Sequence, residues 1–136
     1  MRKTKQQQEV IMEALSFGEL VREKRLEQGI TLRALAAKLN IAPAYMCDIE
    51  NDRRYPPEKE KIDTIANILQ MNNEERNSLF DAAASPKKGT VSPDLTDYVM
   101  SDKCIRVALR KARDIGAGEK EWERILRMLE SKDQEE

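Results

Sequence analysis

The sequence predicts an all-α protein, a five-helix domain followed by a small three-helix extension, and three observations carry that reading. Apolar residues recur at the i, i+3, i+4, i+7 spacing of an amphipathic helix, as in Leu32, Leu35, Ala36 and Leu39, and again in Trp122, Ile125, Leu126 and Leu129. Aromatic residues make up only 4% of the chain and β-branched runs are short. Five glycines and five prolines in 136 residues leave long stretches uninterrupted.

Residues 1–15 form a basic, Gln-rich lead whose last part, Val10 to Leu15, has helical apolar spacing. It reads as a frayed tail, an extra helix or a docking arm. Ser16 and Glu19 form a capping box for a first helix over about Phe17 to Gln28, with Phe17, Leu20 and Val21 inward. Gly29 supplies the positive φ that ends it. Thr31 caps a second helix that stops at Asn40, a residue that tolerates the left-handed region. Pro43 suits the first turn of a third helix, whose apolar positions are Tyr45, Met46 and Ile49. Asn51 to Pro57 has turn chemistry. Pro57 and Glu58 are expected in the first turn of a fourth helix with Ile62, Ile65, Ile68 and Leu69 on its buried stripe. An N-cap pattern at Asn72 to Glu75 opens a fifth helix, from about Asn73 to Ala84, that buries Leu79, Phe80 and Ala83.

Residues 85–91 read as a linker between a domain over 16–84 and a helical segment over 92–136. In that segment, Ser92-Pro93-Asp94 starts a short helix reaching about Met100. Ser101 is expected to cap the next, in which Cys104, Ile105, Ala108, Leu109 and Ala112 share a face. Gly116 and Gly118 break the pattern, and a last helix runs from Glu119 to Glu130 before an acidic, frayed tail.

The stretch Thr31–Glu50 has the form of two short helices joined by a tight turn, a helix-turn-helix whose second helix can enter a DNA major groove. The likeness extends further. The run FGELVREKRLEQGITLRALAAKLNIAPAYMCDIENDRRYP, followed by IDTIANIL, resembles the xenobiotic-response-element (XRE) family of helix-turn-helix domains, which includes the phage Cro and repressor domains. The Gly29-Ile30-Thr31-Leu32 entry, the Leu35-Ala36 pair and Ile49-Glu50-Asn51 carry it most specifically. The resemblance implies a five-helix, lambda-repressor-like fold and a sequence-specific regulator that binds double-stranded DNA. It places Pro43, Ala44, Tyr45, Cys47 and Asp48 toward the bases, and Thr31, Arg33, Lys38, Arg53 and Arg54 toward phosphates. This surface departs from a strong reader. Pro43 and Ala44 offer only apolar contact, Tyr45 can stack, donate its hydroxyl or pack, and Asp48 can accept from a cytosine amino group but repels phosphate.

Charge sets a further condition. From Phe17 to Ala84 there are 10 Lys and Arg against 12 Asp and Glu, so one copy should bind DNA weakly. Two copies on two half-sites are the usual remedy. Trp122, Ile125, Leu126 and Leu129 are the candidate surface for a homodimer or another protein partner; the competing reading is that they pack within the chain. The resemblance implies a dimeric repressor. The alternative is an antitoxin-type component that silences a cognate protein, such as a toxin, and also represses its own operon.

An enzyme is the least supported class. There is no histidine in the chain, and the two cysteines, Cys47 and Cys104, lack metal-ligand spacing, so neither a metal nor another cofactor is expected. The cysteines read as a reduced pair. No apolar run is long enough to span a membrane and no signal peptide is evident, which points to a cytoplasmic protein.

Overall fold

The computed structural model describes residues 15–86 and 89–134. The expected arm at 1–15 therefore lies, apart from Leu15, outside the described residues, as do Lys87 and Lys88 of the expected linker. The described residues form eight helices and no strand: α1 (Phe17–Glu27), α2 (Leu32–Lys38), α3 (Pro43–Glu50), α4 (Lys59–Ile68), α5 (Asn73–Ala84), α6 (Pro93–Ser101), α7 (Lys103–Asp114) and α8 (Glu119–Gln134).

The chain divides into two compact units, the first ending at Thr96 and the second beginning at Asp97. Past α5, Thr90 Oγ1 donates to the Ala84 carbonyl at 3.2 Å, and Ser92 Oγ to Asp81 at 2.5 Å, so the chain after α5 stays tied to it.

The first unit has one hydrophobic core. Val21 of α1, Leu35 and Ala36 of α2, Met46 of α3, Ile62, Ile65 and Ala66 of α4, and Leu79 of α5 are completely buried in it. Each of the larger aliphatic side chains among them stabilises the fold by roughly 1.5–3 kcal/mol. Within this unit α2 packs on α3, α1 on α3 and α5, and α4 on α5. Gly18 permits the α1–α3 approach: a Cβ there would sit 2.4 Å from the Glu50 carbonyl oxygen and 2.5 Å from that of Ile49.

Local signals hold at most helix ends. Thr31 Oγ1 accepts from the Ala34 N–H at 3.1 Å, and Asn40 turns the chain at φ 57°. Asn72 and Glu75 form a full capping box, with N–H···O distances of 2.8 and 3.0 Å. Four expectations are corrected. Glu19 does not close a box with the Ser16 backbone; its carboxylate accepts from the Ser16 hydroxyl, and Asp52 takes the Gly18 N–H. The fourth helix starts at Lys59, with Glu58 extended at its N-cap, because the first helical bond runs from the Ile62 N–H to the Glu58 carbonyl. The cap of α7 is Asp102, which accepts from the Cys104 N–H at 2.8 Å, while Ser101 closes α6 by donating to the Tyr98 carbonyl. Finally, α8 continues to Gln134, one turn beyond Glu130, since nothing in Ser131–Gln134 breaks a helix.

The second unit is different in kind. None of its helices buries a residue, and every residue of α8 is exposed. Its order comes from helix ends. Arg106 Nη1 donates to the carbonyls of Val99 and Met100, and Glu121 accepts from the Gly118 N–H at 2.9 Å. That backbone donor, with the Glu121 amide itself and the nearby charge of Arg124, holds the Glu121 carboxyl below the usual carboxylate range.

Candidate nucleic-acid interface

The face is built around α3. Pro43 occupies its first turn and Ala42 caps it in extended backbone without a side-chain bond, so the helix begins on a surface free of local polar ties. Met46 and Ile49 turn inward and are buried. By helical geometry the opposite side faces outward. Pro43 and Ala44 are exposed there, while Tyr45, Cys47 and Asp48 are half-buried.

Beneath the outward face runs a buried ion pair that sequence reasoning missed. Arg25 of α1 donates from Nε to Glu50 Oε2 at 2.7 Å and from Nη2 to Glu50 Oε1 at 3.0 Å. Its Nη1 donates to the Ile30 carbonyl at 3.0 Å, so one guanidinium ties α1, the α1–α2 loop and the end of α3. Both residues are more than nine-tenths buried. A bidentate pair of this kind fixes orientation as well as distance.

Around the rim, five side chains come together. Asp48 accepts from Arg53 Nη1 at 3.4 Å and from Arg54 Nε at 3.5 Å. The Arg54 guanidinium lies 5.0 Å from the centre of the Tyr45 ring, and the Lys61 ammonium lies 5.8 Å from the same ring. Both are within cation–π range. Arg53 and Arg54 keep 67% and 57% of their side-chain surface exposed, so their charge remains available to solvent.

Asp48 is therefore the anchor of two arginines rather than a free acceptor. Tyr45 is partly a packing residue, resting on the core and clasped by two cations. Lys61 was absent from the sequence reading. Its signal there is weak, because it lies sixteen residues after Tyr45 on another helix and only the packing of α4 brings it near.

The other expected positions are more dispersed. Thr31 uses its hydroxyl to cap α2. Arg33 and Lys38 are exposed on α2 and make no ion pair among the described residues. Cys47 is held by Asn51, whose Nδ2 donates to its carbonyl at 2.8 Å and approaches its Sγ at 3.3 Å. No group of three His, Cys, Asp or Glu among the described residues is placed to hold a metal ion.

Two short helices crossing at a tight turn, locked by a third and presenting an outward face flanked by arginines, match the helix-turn-helix domain family over residues 16–79. Over this segment, somewhat under half of the chain, the protein is similar to that family. The match supports a DNA-binding protein and reaches from the Ser16 cap to Leu79, taking in the Arg25–Glu50 pair and the Tyr45 rim. It stops short of the second unit. No curated protein and no solved structure gives a significant match to the chain. Among the described residues, no helix is long and apolar enough to cross a membrane.

Proposed function

We propose that this protein is a sequence-specific, XRE-like transcriptional regulator of the cytoplasm that acts as a dimeric repressor on double-stranded DNA, a binding protein rather than an enzyme. The observation that carries this reading is the rim of α3, where Arg53, Arg54 and Lys61 gather beside an exposed helix start at Pro43 and Ala44. The helix enters the major groove. Pro43 and Ala44 offer apolar contact to a thymine methyl and Tyr45 a hydroxyl or a stacking face. Arg53, Arg54 and Lys61, with Arg33 and Lys38 from α2, hold phosphates and set the register.

Asp48 serves this arrangement by positioning. A free carboxylate on the DNA face would repel phosphate, but here it is partly neutralised by two guanidiniums. The excess of acidic groups in the domain keeps the affinity of one copy low, so regulation rests on two copies bound to neighbouring half-sites.

The antitoxin-type reading is kept by one observation. Trp122, Ile125, Leu126 and Leu129 of α8 are all exposed, leaving an apolar stripe available to a cognate protein. A mobility-shift titration with the DNA upstream of the gene, across a salt series and against unrelated competitor DNA, tests the leading reading. Specific retardation that saturates in two-copy steps is the expected result. A shift fully competed by unrelated DNA would remove the regulator reading and put the protein-partner reading first.

A further inference from the structure

The second unit carries two apolar stripes and covers neither. On α8, Trp122, Ile125, Leu126 and Leu129 are 41%, 38%, 56% and 55% exposed. Together they leave on the order of several hundred Å² of apolar surface, the size at which patches mark interaction sites. On α7, Ile105, Ala108, Leu109 and Ala112 form the second stripe; two of the four are exposed and none is buried. A helix with every residue exposed gains nothing from packing, which is where most helical stability arises.

The two stripes are matched. Each follows the i, i+3, i+4, i+7 pattern and so runs about 10 Å along its helix. Their flanks differ in charge. From the helical spacing, Lys111 and Arg113 border the α7 stripe on its two sides, whereas Glu123 and Glu130 share one edge of the α8 stripe, with Glu121 and Lys132 at the other. Placing α8 against a second α8 would set glutamates beside glutamates. Placing it against α7 sets the Glu123–Glu130 edge beside a basic one. Yet α7 and α8 of one chain, joined through Ile115–Gly118, do not pack along their lengths.

From this we infer that the occupant of these stripes is a second copy of the chain, with α8 of each copy lying on α7 of the other in a reciprocal four-helix assembly. The inference rests on the two-copy reading above and deepens it by naming the surfaces. Each copy contributes one basic-flanked stripe and one with an acidic edge, so the contact is self-complementary under a two-fold axis. The charged flanks fix which helix meets which, and the aliphatic stripes with Trp122 supply the buried area.

Paired charge reversal tests it on the full chain without DNA. One variant carries Lys111→Glu and Arg113→Glu, the other Glu123→Lys and Glu130→Lys; none of these residues is a helix cap, and circular dichroism reports whether helicity survives. Sedimentation of the wild type should show a dimer. Each variant alone should lose it, since its α7 and α8 flanks now carry like charge, and an equimolar mixture should restore it as a heterodimer. If both variants alone remain dimeric, or the mixture fails to reassociate, the α7–α8 exchange is overturned while the two-copy reading stands. A wild-type chain that stays monomeric throughout the concentration series overturns both.

Discussion

Arg25 and Glu50 meet through two charge-assisted hydrogen bonds of 2.7 and 3.0 Å at the point where α1 passes under the last turn of α3. Since the proposed DNA-facing helix ends on this carboxylate, its angle to the rest of the domain depends on a contact that DNA never touches. Removing either partner strands a buried charge, which costs on the order of 3–5 kcal/mol, whereas replacing both with apolar groups of similar volume can be neutral. Glu50→Ala is therefore expected to lower the urea midpoint sharply. The double variant Arg25→Met, Glu50→Leu should recover most of the loss. A small effect of Glu50→Ala would mean that water reaches the Arg25 guanidinium.

Gly18 tests the same junction sterically. Its substitution by alanine places a methyl against two backbone carbonyl oxygens, which cannot swing aside as a flexible side chain would. The helices must separate, at a cost of about 1–3 kcal/mol. Gly29 is a useful contrast, because it has φ +70° and open space around its missing Cβ. Gly29→Ala should cost only the left-handed penalty of about 1–2 kcal/mol. Denaturation of both variants checks the ordering, and weakened DNA binding is expected for Gly18→Ala more than for Gly29→Ala.

Arg53→Ala combined with Arg54→Ala should weaken binding to all DNA sequences alike and flatten the salt dependence by about two phosphate contacts. Asp48→Asn should act in the opposite direction on non-specific binding, because it releases both arginines from their partner. Lys61→Ala should resemble the arginine variants at half their effect on the slope. Salt titrations of binding to an unrelated duplex measure all three. An unchanged slope in the arginine double variant would take both residues out of the phosphate-contacting set.

Lys24 supplies a pH prediction. Burial disfavours its ammonium, but the 2.8 Å bond and charge of Glu75, with help from Glu27, outweigh that and raise its pKa above the ordinary lysine value. A raised lysine pKa means the tie between α1 and α5 contributes fully below the unfolded lysine pKa and is lost as pH rises through the folded one. Stability should therefore be insensitive to this pair from neutral to mildly alkaline pH and should fall in strongly alkaline solution. Lys24→Met should flatten that alkaline limb; an identical limb in the variant would assign it to other groups.

The helices, most of their caps and the tight turn were legible because they depend on neighbours in sequence. Thr31, Asn40, Pro43 and the Asn72–Glu75 box each act within four residues of themselves. The same local view misled at α7, where Asp102 displaced Ser101, since two adjacent residues of similar capping chemistry compete and the chain direction out of α6 decides between them. The rim was less legible. Asp48 could be placed on the outward side of α3, but its arginine partners lie five and six residues on, across a turn.

Amphipathic spacing alone specified an all-helical chain with a helix-turn-helix near its centre, because a 3.6-residue period selects a helix whatever lies beyond it. The pairings did not follow from it. Arg25 with Glu50, Lys61 beside Tyr45, and the bare stripes of α7 and α8 depend on how helices separated in sequence approach one another. An apolar stripe dictates that something must cover it, but which surface does so is set by distance and charge in three dimensions.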